Sequence, residues 1–112
     1  MAEILAYREE GKVTIVELLS ELDRLSVLSM KNQITELQKK RHKNFIINFS
    51  NIDHINSTII GTLVGIRDTL RRRGGSLVLC CVNDNIKKTF DLIGASQVLS
   101  IYDTEEDALE DI

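Results

Sequence analysis

Proline and tryptophan are absent from this 112-residue sequence, aromatic residues make up only 4%, and there are just two cysteines and two histidines. Without proline there is no native cis-proline bond to slow folding. Cys80 and Cys81 are neighbours inside an apolar run, and adjacent side chains on a strand point to opposite faces. A disulfide between them is therefore not expected, and both read as small buried hydrophobes in a reducing compartment. His42 and His54 sit beside polar neighbours in no ligand spacing of the HExxH or CxxC kind, so neither a metal site nor a cofactor is expected. No apolar run approaches the roughly 18 residues that cross a bilayer. The amino-terminal stretch MAEILAYREE carries acids where a secretory signal places Lys or Arg ahead of an apolar run. A cytoplasmic protein without membrane insertion is the expectation.

Excess positive charge is also missing. A net charge of −3 provides no footprint for gripping phosphate backbones, and direct nucleic-acid binding is not expected. The one basic cluster, Arg71, Arg72 and Arg73, ends a predicted helix, where cations favour the helix dipole; an acidic partner surface is the alternative reading. Gly74 and Gly75 lie between a helix and a strand, the reverse of a phosphate-binding loop. No serine stands in a GxSxG setting. The carboxylates of Glu9, Glu10 and residues 105–107 fall in turn or terminal positions, where solvated roles are the default. With so little reactive equipment the chain reads as a binding module and not as an enzyme.

A hydrophobic fraction of 43% with 28% charged residues fits one globular domain over residues 1–112. Residues 3–8 and 12–18 read as strands joined by a tight turn at Glu9, Glu10 and Gly11. From 25 to about 41, Val27, Met30, Ile34 and Leu37 recur at spacings of 3, 4 and 3 and predict a helix closed by Lys39, Lys40 and Arg41. The nearly continuous apolar run 45–49 predicts a central strand covered on both faces. A loop over 50–56 precedes a helix from about 58 to 73, with Ile59, Leu63, Ile66 and Leu70 on its core face and Gly74 as its left-handed stop. Residues 76–82 predict a buried strand. Asp84 is the expected cap of a short helix with Ile86, Phe90 and Ile93 inward and Gly94 at its end. Residues 98–102 predict a last strand, and Asp103 or Thr104 caps a terminal helix. This alternation predicts an α/β fold on a mixed, largely parallel sheet of four to five strands with about four helices.

The segment INFSNIDHINSTIIGTLVGIRDTLRRRGGSLVLCCVNDNIKKTFDLIGASQVLSIYD resembles the STAS domain of bacterial anti-sigma factor antagonists. The resemblance lies in the succession of buried strand, loop, hydroxyl-rich helix start, glycine-bearing helix, Gly-Gly pair, second strand and short helix with Phe90 before Gly94. With the weaker SELD at residues 20–23, where Ser20 replaces a common glycine, it covers essentially the whole chain. In the family the helix start reads Asp-Ser-Ser-Gly or Asp-Ser-Thr-Gly, matched here by Asn56, Ser57, Thr58 and Ile59. The resemblance implies that Ser57, with Thr58 as second candidate, is phosphorylated by a serine kinase that is itself the anti-sigma factor, and that phosphorylation releases the kinase. A phosphatase and other STAS proteins are further implied partners. Ile59 in place of glycine is expected to reshape the surface around the acceptor. Together with Asn56 it also resembles scaffold-type STAS proteins of stress-signalling complexes, and a transporter accessory subunit is a further alternative.

Local physics leaves two readings of Ser57 open. A hydroxyl or amide at a helix start accepts a bond from a free backbone N–H, so Asn56, Ser57 or Thr58 can be there as caps alone. A phosphate there would instead add a charge of about −1.5 to −2 beside the positive end of the helix dipole. The expected partner surface comprises Asn56, Ser57, Thr58, Ile60, Gly61 and Val64. Within it, Ile60 and Val64 lie towards the flank of the helix, and Gly61 and Gly65 lower one stripe for close approach.

Overall fold

The structure is a computed structural model that describes residues 3–112. The first two strands, β1 (Leu5–Glu10) and β2 (Val13–Leu18), form an antiparallel hairpin in which Glu10 faces Val13. The turn is therefore only Gly11 and Lys12, and Glu9 and Glu10, expected in it, belong to the strand. Gly11, at φ 60°, supplies the left-handed residue that two-residue hairpin turns require. Helix α1 (Arg24–Lys39) buries Val27, Met30, Ile34 and Leu37, the four residues its periodicity predicts. It stops two residues earlier than expected, because Arg41 has turned to φ 74°.

The central strand β3 (Asn44–Asn48) is flanked in parallel by β2 and by β4 (Ser76–Cys80). Helix α2 (Ser57–Arg72) connects β3 to β4 and buries Ile59, Ile60, Leu63, Ile66 and Leu70. Beyond it, the N–H of Gly74 donates to Arg71 O and that of Gly75 to Leu70 O, at 3.1 and 2.8 Å. With Gly74 at φ 78°, this is the paired arrangement by which a left-handed residue closes a helix. Gly75 has a different reason to be glycine, since a Cβ there would lie 2.1 Å from the carbonyl oxygen of Lys43. That oxygen also accepts the N–H of Ser76, so the clash falls where β3 and β4 begin to pair. Gly75→Ala is expected to cost about 1–3 kcal/mol, read as a shift of the urea midpoint at unchanged slope.

Helix α3 (Asp84–Ile93) follows, then a 3-10 turn at Ala95–Gln97, the short parallel strand β5 (Ile101–Tyr102) and helix α4 (Glu105–Asp111). The five strands lie in chain order, β1 to β5, the mixed and largely parallel sheet that the alternation predicts. Several ends differ from expectation. The cap of α3 is Asn83, whose side chain accepts the N–H of Ile86 at 2.8 Å; Asp84 is the first helical residue. Ile93 is 53% exposed, because the chain reverses at Gly94, φ 84°, and Ala95 and Leu99 fill the core there instead. Residues 98–100 stay outside β5. Thr104, not Asp103, caps α4 through the N–H of Asp107 at 3.1 Å.

Side-chain alternation separates two apolar layers. Val16, Phe45, Ile47, Leu77 and Leu79 point to one face and share a core with residues of α1, α2 and α3. Ile15, Ile46 and Cys80 point to the other, where Ala108 of α4 joins them. β4 ends at Cys80 because Cys81 adopts φ 62°. The cysteines thus do not alternate as on a strand: both are free, and their sulfurs lie 3.5 Å apart.

Glu105, expected to be merely solvated, ties this second layer together. Its carboxylate accepts from Arg8 of β1 at 2.5 Å and from Asn48 of β3 at 2.6 Å. The Arg8 guanidinium, and after it the Asn48 amide, hold the Glu105 carboxyl below the usual carboxylate range despite partial burial. A depressed folded-state value makes the contribution complete above the unfolded value, about 4.3, and removes it as pH falls through the folded value. Glu105→Gln should therefore cost about 1 kcal/mol at neutral pH. The gap to wild type should narrow progressively in acid melts below pH ~4.

Candidate functional site

The amino end of α2 is reached from β3 through residues 49–56, and three neighbours fix that loop. The Asn51 amide donates to Leu18 O at 3.0 Å and the Asn83 amide to Ile52 O at 3.3 Å. The carboxylate of Glu21 accepts the backbone N–H groups of Asp53 and His54. Inside the loop Ile52 is buried and its N–H bonds Phe49 O. The segment is thereby held at its middle and braced towards the β2–α1 connection.

At the helix start Asn56 is extended, with φ −141° and ψ 174°, and its Oδ1 accepts the N–H of Ile59 at 2.9 Å. Asn56 is thus the cap. Ser57 is the first helical residue; it is exposed, and no other described residue engages its hydroxyl in the hydrogen bonding of the loop or helix. Thr58 and Gly61 are exposed on the same helix. Across from them, Asp23, Arg24 and Val27 of the α1 start line a small cleft with Asn56, Thr58 and Ile59. Asp23 accepts from the N–H groups of Leu25 and Ser26, and Ser26 Oγ accepts the N–H of Asp23 at 2.7 Å. The Ser26 N–H, and after it the Ser26 hydroxyl donating to Asp23 Oδ1 at 3.0 Å, push the Asp23 carboxyl below its ordinary range.

Asn56, Ser57, Thr58 and Gly61 therefore form one open surface. Ile60 is a correction: it is 4% exposed and belongs to the core cluster with Ile86 and Phe90. At about 100° per residue it falls on the flank of α2 away from α1, and the apolar stripe is wider there than the 3–4 spacing implies. Val64, on the same flank, is half-buried and packs against that core. Ile59 is 2% exposed: most of the bulky residue in the glycine position lies in the core cluster, and what remains lines the small cleft beside Asn56 and Thr58.

Glu21 and Asp23 lie in the SELD segment, but nothing local shows that Glu21 reaches residues 32 and 33 positions away. His42 is half-buried, its Nδ1 2.6 Å from Thr14 Oγ1, and His54 is exposed beside Glu21. Neither joins the Ser57 surface. Among the described residues no group of three or more His, Cys, Asp or Glu side chains converges as a metal site would, and no helix is long and apolar enough to cross a membrane.

Residues 5–108 match the STAS domain family. An anti-sigma F factor antagonist of Paenibacillus polymyxa is 27% identical over 101 residues, covering 89% of this chain and 86% of that protein. A crystal structure of a Thermotoga maritima protein superposes with a TM-score of 0.90 at 22% identity, over 96% of this chain and 93% of the other. The Bacillus anti-sigma factor antagonist SpoIIAA, 20% identical, has been solved in both phosphorylation states. Its unphosphorylated form gives a TM-score of 0.80, over 95% of this chain and 93% of that one. Its phosphorylated form gives 0.73, over 95% and 96%.

Proposed function

We propose, from the premise that this chain belongs to the STAS domain family, that it is an anti-sigma factor antagonist working by partner switching. Unmodified, it binds an anti-sigma factor that is also a serine kinase and so frees a sigma factor. The kinase transfers phosphate to the Ser57 hydroxyl, and the modified protein lets go. The chain itself catalyses nothing; it acts in the cytoplasm as one STAS domain, and a phosphatase resets it.

One observation carries this reading. The cap of α2 is Asn56, which leaves the adjacent Ser57 hydroxyl exposed and free for another task. A phosphate there would sit beside unpaired N–H groups at the positive end of α2, where an anion is tolerated. The same group pressed against a partner without a counterion is strongly unfavourable. The named function of the Paenibacillus polymyxa relative and the existence of SpoIIAA in a phosphorylated form support the same assignment.

Purification of the native complex from the host, followed by intact-mass analysis, tests it. The expected result is two pools: unmodified chain with a kinase, and free chain carrying one phosphate lost on Ser57→Ala. A stable assembly whose composition ignores phosphorylation would overturn the switch and mark a scaffold instead.

A further inference from the structure

Helices α1 and α2 lie side by side with their amino ends together, and a groove of about 700 Å³ runs between them from Ser57 to Arg73. On α2 its wall is the flank opposite Ile60. At 1.5 Å per residue this wall is roughly 24 Å long. Its charge is of one sign: Lys31 and Lys39 from α1 and Arg72 and Arg73 from α2 line it, and no carboxylate does. In a chain of net charge −3 that segregation is a local reversal. Lys39 pairs with the exposed Glu36 at 3.1 Å. Lys31, Arg72 and Arg73 make no ion pair among the described residues.

The polar groups of the groove are similarly one-sided. The hydroxyls of Thr35, Thr62 and Thr69 donate to the carbonyls of Lys31, Thr58 and Gly65 in their own helices. Gln38 lines the groove, and its Nε2, itself buried, donates to nothing among the described residues. A buried amide without an acceptor is uncommon in native proteins and costs stability. The donors left over are thus an amide and cationic heads, with the Ser57 and Thr58 hydroxyls at the amino end, and all of them can be met by anionic or carbonyl oxygens.

We infer that the α1/α2 groove is a docking channel for an extended, carboxylate-rich segment of a protein partner. Length decides for a polypeptide over a small anion. Lys31 stands near the middle, whereas Lys39, Arg72 and Arg73 stand at the carboxyl ends of the two helices, so the cations span half the channel, more than one phosphate bridges. Carboxylates spaced along a strand reach them in turn, and a backbone carbonyl satisfies Gln38. The exposed Gly61 and Gly65 have nothing within 4 Å of a built Cβ, which leaves room for a main chain to lie close. This inference rests on the reading of the Ser57 face as a docking surface and extends it along the helix.

Titration of the full chain with a synthetic octapeptide of alternating Glu and Gly, followed by amide NMR, tests it without any kinase present. Saturable shifts are expected at Gly61, Thr62 and Gly65 and at the Gln38 side-chain amide. The apparent Kd should rise at least about tenfold in Lys31→Glu/Arg72→Glu, and it should stay at the wild-type value in Lys88→Glu, a charge change on α3. If the double reversal unfolds, Lys31→Gln/Arg72→Gln gives the same comparison with a smaller rise. Shifts scattered over the surface, or equal affinity in the groove variants, would overturn the inference. So would inorganic phosphate or ATP moving the same resonances at lower concentration than the peptide, which would mark a small-anion site. Because the measurement needs neither phosphorylation of Ser57 nor the kinase, failure here leaves the phosphorylation switch standing, and failure of the switch leaves this result intact.

Discussion

Ser57→Asp is expected to weaken binding to the cognate anti-sigma kinase by about two to four decades while leaving the fold intact. The two halves of that expectation come from different environments of one atom. In the free protein the side chain is exposed at the first position of α2, so a carboxylate there interacts with the positive end of the dipole and contributes about 0.3–1 kcal/mol. The cap is unaffected, since Asn56 supplies it. In the complex the same carboxylate loses water, and a buried charge without a partner costs about 3–5 kcal/mol, which is the stated loss of affinity. Ser57→Ala, which adds no charge and removes no hydrogen bond of the fold, should bind like the unmodified chain and no longer be released by ATP. Calorimetric titration against the purified kinase, with thermal melts of each variant, reads both quantities. Wild-type affinity in Ser57→Asp, or a melting point several degrees lower, would contradict the assignment.

A large loss of stability is expected at Phe49. Its ring is completely buried in the layer between the sheet and α1, α2 and α3, immediately after β3. Truncation to alanine removes both the transfer free energy and the surrounding contacts, about 3–5 kcal/mol. That is a large part of the roughly 5–15 kcal/mol by which a domain is stable. The backbone of the same residue is committed as well, its N–H to Cys80 O and its carbonyl to the N–H of Ile52, both at 3.0 Å. Phe49→Ala should therefore also loosen the loop that leads to Ser57, and partner affinity should fall alongside stability. Urea unfolding measures the first effect. A loss below about 1 kcal/mol would mean that the neighbouring side chains collapse into the space.

Helix interiors were legible in the sequence because a 3.6-residue period leaves few ways to bury Val27, Met30, Ile34 and Leu37, or Ile59, Leu63, Ile66 and Leu70. Ends were less so. Asn83 and Asp84, or Asp103 and Thr104, are adjacent residues of similar capping chemistry, and only the path of the preceding chain decides which side chain reaches the free N–H. Ile60 and Ile93 depart from the expected faces for a related reason: how wide an apolar stripe must be depends on what covers its flank, and that cover is supplied by distant residues such as Phe90 and Leu99. At the functional site, Asn56, Ser57 and Thr58 are contiguous and stood out. The contribution of Glu21 is a contact across the fold and has no local signature. The groove has no signature in the sequence because its two walls are separated by a strand and a loop, and Lys31 and Arg72 come to line one channel only when α1 and α2 pack.

The hairpin strand β1 forms one rim of the sheet and leaves every residue after Leu5 exposed, with Arg8, Glu9 and Glu10 along it. The opposite rim, β5, is only two residues long. Charged or very short rims are poor templates for another chain's strand. Neither rim therefore offers a ready template on which copies of the chain could pair edge to edge, and the sheet ends at its own five strands.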